Sequence, residues 1–483
     1  MFRSSSLRPS LLLLIALLAA CTGNLQGADD ASVRTDGGLE RDAARLDLGA
    51  LDGGSHDGGQ DSGMDASVSC GETHTVTFDP SIPIYNLDAN EQLGLHPGDT
   101  LCMPAGDYRP IYFHRLRGTP GCPIRITNCG GLVRIGPGPS SATEHRLNFS
   151  DSEHFIVAGD GVAGMDYGIE IDGRTGTNSY HAIMVNGASS DYEIHHVYAH
   201  DHGVTVENVP QLSCARPELF GSVFTVRNPR IHHLKIRNGS SYGIYLAGQA
   251  TVDLPDCGGT IAAPAYENVQ IHDIDLDTVA RAGIHLSHAP NGENRIHHNR
   301  IVNAMQGGIT VDSDCRAEVY ANVVNGPAFG VFVRGSLDVP VHDNLLIATG
   351  YGIQMAGTVT RARVIAYQNT MIIPNGNAAQ SYSGGDSGPH VFVNNLIVAP
   401  TATASRPVLG FDLTGASTAD IHDNLVLPSI DAAYFVDAAG GDYHLAAGSP
   451  AIGAGVDLSG MGVDADLDGR ARSVPFDVGC YAH

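Results

Sequence analysis

The sequence predicts an all-β solenoid wound from stacked parallel coils. Three observations carry that expectation. First, a short phrase returns at Ile194-His195-His196, Ile231-His232-His233, Ile271-His272-Asp273, Ile296-His297-His298, Val319-Tyr320-Ala321, Val341-His342-Asp343 and Ile421-His422-Asp423. From Ile296 through Val319 to Val341 the steps are 23 and 22 residues, and a fixed period in this range marks a stacked array. Second, each phrase up to Val341 is answered 9 to 12 residues later by Gly plus an aliphatic: Gly203-Val204, Gly243-Ile244, Gly283-Ile284, Gly308-Ile309, Gly330-Val331 and Gly352-Ile353. Third, apolar and polar residues alternate in these runs, as in Ile284-His285-Leu286-Ser287. Period two means strands with one buried face, and no stretch in the array shows helix spacing. Three short strands and three turns fit one period of about 22 residues.

A second column follows the first. Asn299, Asn322, Asn344 and Asn424 lie three residues after the aliphatic, Asn395 follows the same rule from Phe392, and Asn369 lies one residue out of step. Identical amides on successive coils can bond to one another as a ladder. In earlier coils the place holds Val197, Leu234 and Ile274. Either filling suits an inward-facing corner.

Phrase and column together resemble the right-handed parallel β-helix repeat family, the pectate-lyase-like superfold, over most of the chain after about residue 90. Leu95 to Tyr108 (LHPGDTLCMPAGDY) resembles the opening coil of such proteins, and Gly118 to Ile126 (GTPGCPIRI) the turn and strand after it. Gly441 to Gly455, Asp466 to Arg470 and Asp477-Val478-Gly479 resemble the closing segment of many secreted members. The resemblance implies a single-stranded right-handed parallel β-helix (solenoid) with N- and C-terminal caps. It implies no activity, because the superfold hosts lyases, hydrolases, epimerases, adhesins and inert stalks.

At the N-terminus, Arg3 and Arg8 precede an apolar run, Leu11 to Leu18, then Ala19-Ala20-Cys21. This predicts an export signal over residues 1–21, with an apolar core too short for a bilayer-spanning helix. Leu18-Ala19-Ala20-Cys21 resembles the bacterial lipobox, which implies lipidation of Cys21. Thr22 after it favours the outer membrane or cell surface. Residues 22–69 are nearly all Asp, Gly, Ala and Ser. They have too little apolar surface to offset ordering entropy, so an acidic, disordered tether is expected. Residues 70–123 are expected to cap the first coil, whose core and strand edges would otherwise face water. Residues 124–430 should form about ten to twelve coils, and 431–483 should close the far end.

The net charge is −25, Lys235 is the single Lys, and Trp is absent. Nucleic acid is excluded as a partner, since phosphate binding needs clustered cations. An acidic surface also disfavours a polyanion unless calcium bridges the two. Eight Cys besides Cys21 predict disulfides in an exported protein. Cys214 and Cys257 sit in insertions that stretch two steps to 37 and 40 residues, and they are expected to pair. Cys122 and Cys129 flank a predicted strand too long to bridge, so each should have another partner or none. The chain is expected to be monomeric.

Alternate residues of the strand after each Gly-aliphatic pair point outward. One outward column reads Glu170, Thr205, Tyr245, His285, Thr310, Phe332, Gln354; its neighbour reads Asp172, Glu207, Ala247, Ser287, Asp312, Arg334, Ala356. Such a face suits a polysaccharide, with Tyr245 and Phe332 stacking on sugar rings and His285, Glu207 and Asp312 completing the substrate-binding set. Asp172 and Glu207, placed on adjacent coils, predict a shared proton or a bound calcium; a solvated acidic face is the plainer reading. The histidines of the phrase, with His196, His233, Asp273, His298, Asp343 and Asp423 beside them, have metal-ligand chemistry. The repeat itself places them, however, so a structural column beside the turn is expected. Asp464, Asp466 and Asp468 open a DxDxDG calcium loop whose twelfth place is Pro475 rather than an acid, which excludes an EF-hand. Calcium held there would stabilise the cap.

Lyases of the superfold resemble one another in using a Lys or Arg base near calcium-binding carboxylates. The resemblance makes Lys235, Arg300 and Arg334 the catalytic candidates, and Tyr198, Asp275 and Arg300 share the offset of Lys235 on neighbouring coils. No catalytic motif is intact. The expectation is therefore an exported, lipid-anchored β-helix presenting a carbohydrate-binding or structural surface. The alternative is a calcium-dependent polysaccharide lyase or related carbohydrate-active enzyme.

Overall fold

A computed structural model describes residues 70–483 except 77, 79–81, 83, 137–144, 174–180, 209–216, 248–251, 255–257, 327, 337, 348–349, 358–361, 375, 384–388, 400–410 and 414–418. The export signal, Cys21, the tether, Cys214 and Cys257 lie outside the described residues.

Most coils contribute three short strands, as in Asn294–His297, Arg300–Ala304 and Gly307–Asp312. Each pairs in parallel with its counterparts one coil before and one coil after. Third strands form a sheet of twelve, from Tyr85–Asp88 to Phe411–Leu413. First and second strands run together in a sheet of 23 that bends at the corner between them. The chain is a single-stranded right-handed parallel β-helix.

Identical positions stack because the core demands it. Ile194, Ile231, Ile271, Ile296 and Val319 are partners in succession and fully buried. Each buried aliphatic side chain is worth about 1.5–3 kcal/mol, and a slip of one residue would turn the whole set outward. The Gly of the answering pair has a packing reason. A Cβ on Gly283 would lie 2.7 Å from Ile301 Cγ2, and one on Gly308 2.4 Å from Val324 Cγ1. Only Gly lets the third strand pass this close to the core of the second.

The corner between first and second strands is turned by one left-handed residue. His196, His233, Asp273, His298, Ala321, Asp343, Gln368, Asn394 and Asp423 all have φ between 50° and 56°. The next residue faces inward, and from Asn299 onward it is Asn. Asn299, Asn322, Asn344, Asn369, Asn395 and Asn424 form a continuous ladder, each Nδ2 donating to the next Oδ1 at 2.8–2.9 Å. Each Oδ1 also accepts the backbone N–H of the Asn before it. Asn369 stands in line, not out of step, because Ala366 rather than Ile365 pairs with the inward Val341.

Stacking starts before residue 124. Thr73–Thr75 and Thr100–Tyr108 already pair in parallel, and the latter pairs with Ile124–Ile135. Residues 70–123 therefore supply coils as well as the short helix Ala89–Leu93. Disulfides Cys70–Cys122 and Cys102–Cys129 tie these coils together, giving Cys122 and Cys129 separate partners. Cys315 and Cys480 are free. The even count did not translate into full pairing, because burial isolates these two thiols and pushes both up to about 12.

Residues 431–483 lie along the flank of the last coils. Cys480 and Tyr481 pack with Ala321 and Leu345, and Phe476, Val463 and Leu458 with Tyr367 and Val393. The Cys480 N–H donates to Thr370 Oγ1 and the Gly479 N–H to the Asn394 carbonyl. Arg472, almost wholly buried, reaches Asp343 at 2.5 Å. Asp343 in turn bonds His342 Nδ1 at 2.8 Å, and Glu318 bonds His342 Nε2 at 3.0 Å. Burial opposes charge on His342, but its hydrogen bonds to the Asp343 and Glu318 carboxylates outweigh it and raise the ring to about 9.

Two outcomes follow from this architecture. Asn322→Ala, in mid-ladder, lowers unfolding free energy by roughly 2–4 kcal/mol, since it strips bonds from buried backbone groups; Asn424→Ala, at the half-exposed end, costs less, as denaturant midpoints will show. His342 is raised on folding, so its contribution is complete below its ordinary pKa of about 6.5 and is lost as pH climbs to about 9, an effect of about 3 kcal/mol. Melting temperature should therefore fall across that window, and His342→Gln should flatten the fall.

Candidate functional site

The outward row of the twelve-stranded sheet reads Met184, Glu207, Tyr245, His285, Thr310, Phe332, Gln354. The substrate-binding residues Glu207, Tyr245, His285 and Phe332 thus share one line. Asp312 and Arg334 are partners in the adjacent row, after Ser287. The first members of the expected columns are corrected. Val206, not Val204, is the inward partner of Ile244, so Glu207 lies beside Tyr245 and Thr205 leaves the row. The cue was spacing: Ile244 falls 11 residues after the corner residue His233, Val206 falls 10 after His196, and Val204 only 8.

Glu170 and Asp172 belong to a different sheet, paired with Tyr198 and His200. The expected calcium pair of Asp172 and Glu207 is therefore ruled out by topology. Asp172 instead faces His200 at 3.9 Å, with Glu170 and Asp201 also beside that ring. Burial lowers and these carboxylates raise His200, and the net shift is upward.

At one end of the row Glu207 Oε2 lies 2.5 Å from His181 Nδ1. The approach is off-axis, and neither atom makes an aligned hydrogen bond. The His145 ring lies 4.8 Å from that of His181, tilted by 37°. Burial, then the neighbouring His181 and Arg146, holds His145 down at about 4. Next comes an aromatic patch. Tyr242 and Tyr245 lie 4.6 Å apart, His285 is 5.0 Å from Tyr245, and the Arg281 guanidinium covers Tyr242 at 5.4 Å. Burial raises Tyr245, helped by Tyr242, Glu207 and Asp312. Burial also takes His285 down to about 4, with Asp312 opposing and Arg334 adding. His285 is therefore a neutral ring, 3.8 Å from Asp312. Asp312 is clamped by Arg334 through Nε at 2.8 Å and a second guanidinium nitrogen, the forked geometry that fixes both groups. Phe332 follows, 5.2 Å from Phe329.

The two insertions leave from the C-terminal ends of these strands, at Asn208 and Ala247, and meet. The Gly221 N–H donates to the Thr260 carbonyl, and Phe220 packs on Gly259. A recess of ≈ 610 Å³ beside them is lined by Val223, Ala265, His288, Asp314 and Arg316. His145, His181, Tyr242 and Arg281 escaped sequence reasoning. His181 precedes a strand with no Gly-aliphatic phrase, and Tyr242 and Arg281 stand in turns outside the alternation.

The three basic candidates do not converge. Arg334 is held by Asp312 on the twelve-stranded sheet. Lys235 and Arg300 stand on second strands with Asp275 between them. Lys235 sits over the rings of Tyr198 and Tyr167 at 5.0 and 6.0 Å, and Asp275 accepts from Arg300 and Arg237. Asp464, Asp466 and Asp468 do not gather into an ion site either. The Asp466 carboxylate is filled by the N–H groups of Asp468, Arg470 and Ala482, and Asp468 bonds His444 at 2.6 Å. These are hydrogen bonds that shape the closing segment.

Residues 138–324 match the family model described as a right handed beta helix region. No curated protein is similar enough in sequence to match. Among solved structures the chain is similar to a GH136 lacto-N-biosidase from Eubacterium ramulus, with TM-score 0.44, 11% identity, and 74% of this chain and 67% of that one covered. It is similar to XylC in complex with xylose, with TM-score 0.44, 11% identity and coverage of 80% and 93%. It is also similar to a variant of the PL6 family alginate lyase AlyGC, with TM-score 0.40, 15% identity and coverage of 71% and 51%, so it spans about half of that lyase. Coil register over the described residues and the matched region agree on a right-handed parallel β-helix fold.

Proposed function

We propose that the outward row of the twelve-stranded sheet is a glycan-binding surface without catalytic activity. One observation carries the reading: Glu207, Tyr245, His285, Thr310 and Phe332 occupy one outward line over successive coils, about 4.8 Å per step. Aromatic faces, a neutral imidazole and fixed carboxylates offer stacking and directed hydrogen bonds to a chain of sugar rings. Asp312 in the adjacent row is held by Arg334 and Glu207 lies against His181, and the chain is strongly acidic. A neutral polysaccharide fits this surface best; a polyanion needs calcium as a bridge.

The protein is a monomer, exported and held at the outer membrane or cell surface by a lipid on Cys21. Two disulfides among the described residues support an oxidising compartment. The lyase reading needs a free base beside the bound sugar, and Arg334 is clamped while Lys235 and Arg300 belong to another sheet.

Affinity electrophoresis of the full chain against neutral and acidic polysaccharides, with and without calcium, tests this. Binding of a neutral glycan should weaken about tenfold or more in Tyr245→Ala, a loss of about 1.4 kcal/mol or more, and stay unchanged in Lys235→Ala. Ultraviolet-absorbing unsaturated products that vanish in Lys235→Ala or Arg334→Gln would establish the lyase instead. Cys21→Ser should move the protein from the membrane to the soluble fraction.

A further inference from the structure

The histidines of the repeated phrase form two parallel stacks along the bend of the large sheet. His195, His232, His272 and His297 lie face to face at 4.7–4.9 Å, within 6° of parallel. Beside them, at the left-handed corner, His196 and His233 stack at 5.0 Å. Each corner residue reaches back to the ring before it. The two Nδ1 atoms are 2.7 Å apart in His232 and His233, and His272 Nδ1 is 2.7 Å from the Asp273 carboxylate. The corners at Ala321 and Asp343 are covered by the closing segment. Those at His233 and Asp273 remain open to solvent.

We propose that His232, His233 and His272 bind a divalent first-row transition-metal ion at this open corner, with copper(II) favoured. One ligand atom from each lies within 4.8 Å of the others. The protons are arranged for it. The Glu193 carboxylate faces His232 Nε2 at 2.8 Å, so the tautomer that donates to it leaves His232 Nδ1 with a lone pair. Without metal, His233 Nδ1–H donates to that lone pair. Metal binding moves the His233 proton to its Nε2 and frees the second nitrogen. His272 contributes its Nδ1 by the same change of tautomer. Asp273 lies beside this nitrogen as a further carboxylate partner.

The 2.7 Å between the two Nδ1 atoms is the length of their hydrogen bond without metal, so the choice of metal rests on ligand chemistry. Imidazole nitrogens suit copper, nickel and zinc, affinity along the first-row series peaks at Cu(II), and imidazole excludes calcium. The plain alternative is that the His–His pair is only a turn device, interchangeable with His–Asp. The two readings part on whether a metal is held.

Calorimetric titration of the full chain with Cu²⁺, with electron paramagnetic resonance on the product, decides between them. The expected result is a Kd at or below about 1 μM and a tetragonal spectrum with nitrogen hyperfine splitting. His233→Asn keeps a residue that tolerates the left-handed corner, and His272→Tyr keeps the ring stack as Tyr320 does in its own coil. Each should weaken binding at least about tenfold or remove one site, with circular dichroism unchanged. His422→Asn, at a corner whose preceding coil carries no imidazole in this column, should change nothing. Copper bound more weakly than about 1 μM, or binding unaltered in both His233→Asn and His272→Tyr, overturns the proposal.

Discussion

At each corner from Asn299 onward one side chain meets three demands at once. It must fill an inward site, satisfy backbone groups that the bend takes out of the sheet, and contact its copy on the next coil. An amide does all three, since it carries both a donor pair and an acceptor. The Asn322 amide donates to the Ile296 and Tyr320 carbonyls as well as to Asn344. Unpaired groups at such depth are costly, so each coil is locked to the next at a fixed register. That lock propagates to every other column, because strands that share a coil cannot slip independently. The aliphatic stacks, the close-packed glycines of the third strands and the outward rows all inherit it.

Where amides are missing, the register is kept by other means. Val197, Leu234 and Ile274 fill the corner with aliphatic side chains, and the Ile274 N–H is the first to reach the ladder, at Asn299 Oδ1. Phe113, Phe149, Phe155 and Tyr192 form an aromatic stack inside the early coils. The Tyr192 and Tyr266 hydroxyls are tied to Asn208 at the root of the first insertion. A binding row on such a sheet costs little ordering entropy, because the sheet already holds its backbone.

The solenoid was legible in the chain because its physics is periodic. Ile296, Val319 and Val341 repeat for packing, Asn299, Asn322 and Asn344 for hydrogen bonding, and Gly283 and Gly308 for close approach. Legibility failed where the period was interrupted. Gly203-Val204 imitates the phrase two residues early, and this moved Glu207 off Tyr245. Glu170 and Asp172 alternate like a third strand but are a second strand, since alternation is the same in both and only the count from the corner separates them. The closing segment was readable as a unit, not in its position: Arg472 finds Asp343 across 129 residues of sequence, and no local pattern encodes that contact. His181 joined Glu207 in the same way, by pairing of whole coils.

The placement of Glu207 beside Tyr245 is the point on which the row stands, and it separates this register from the one the phrase alone suggests. Cysteine cross-linking measures it directly. Partners on adjacent parallel strands lie within the about 4.4–6.8 Å that a disulfide spans. Mild oxidation of the double variant Glu207→Cys with Tyr245→Cys should form an intramolecular disulfide in high yield, while Thr205→Cys with Tyr245→Cys should not. Efficient cross-linking of the second pair and none of the first would contradict the register, and with it the row of side chains proposed to bind glycan.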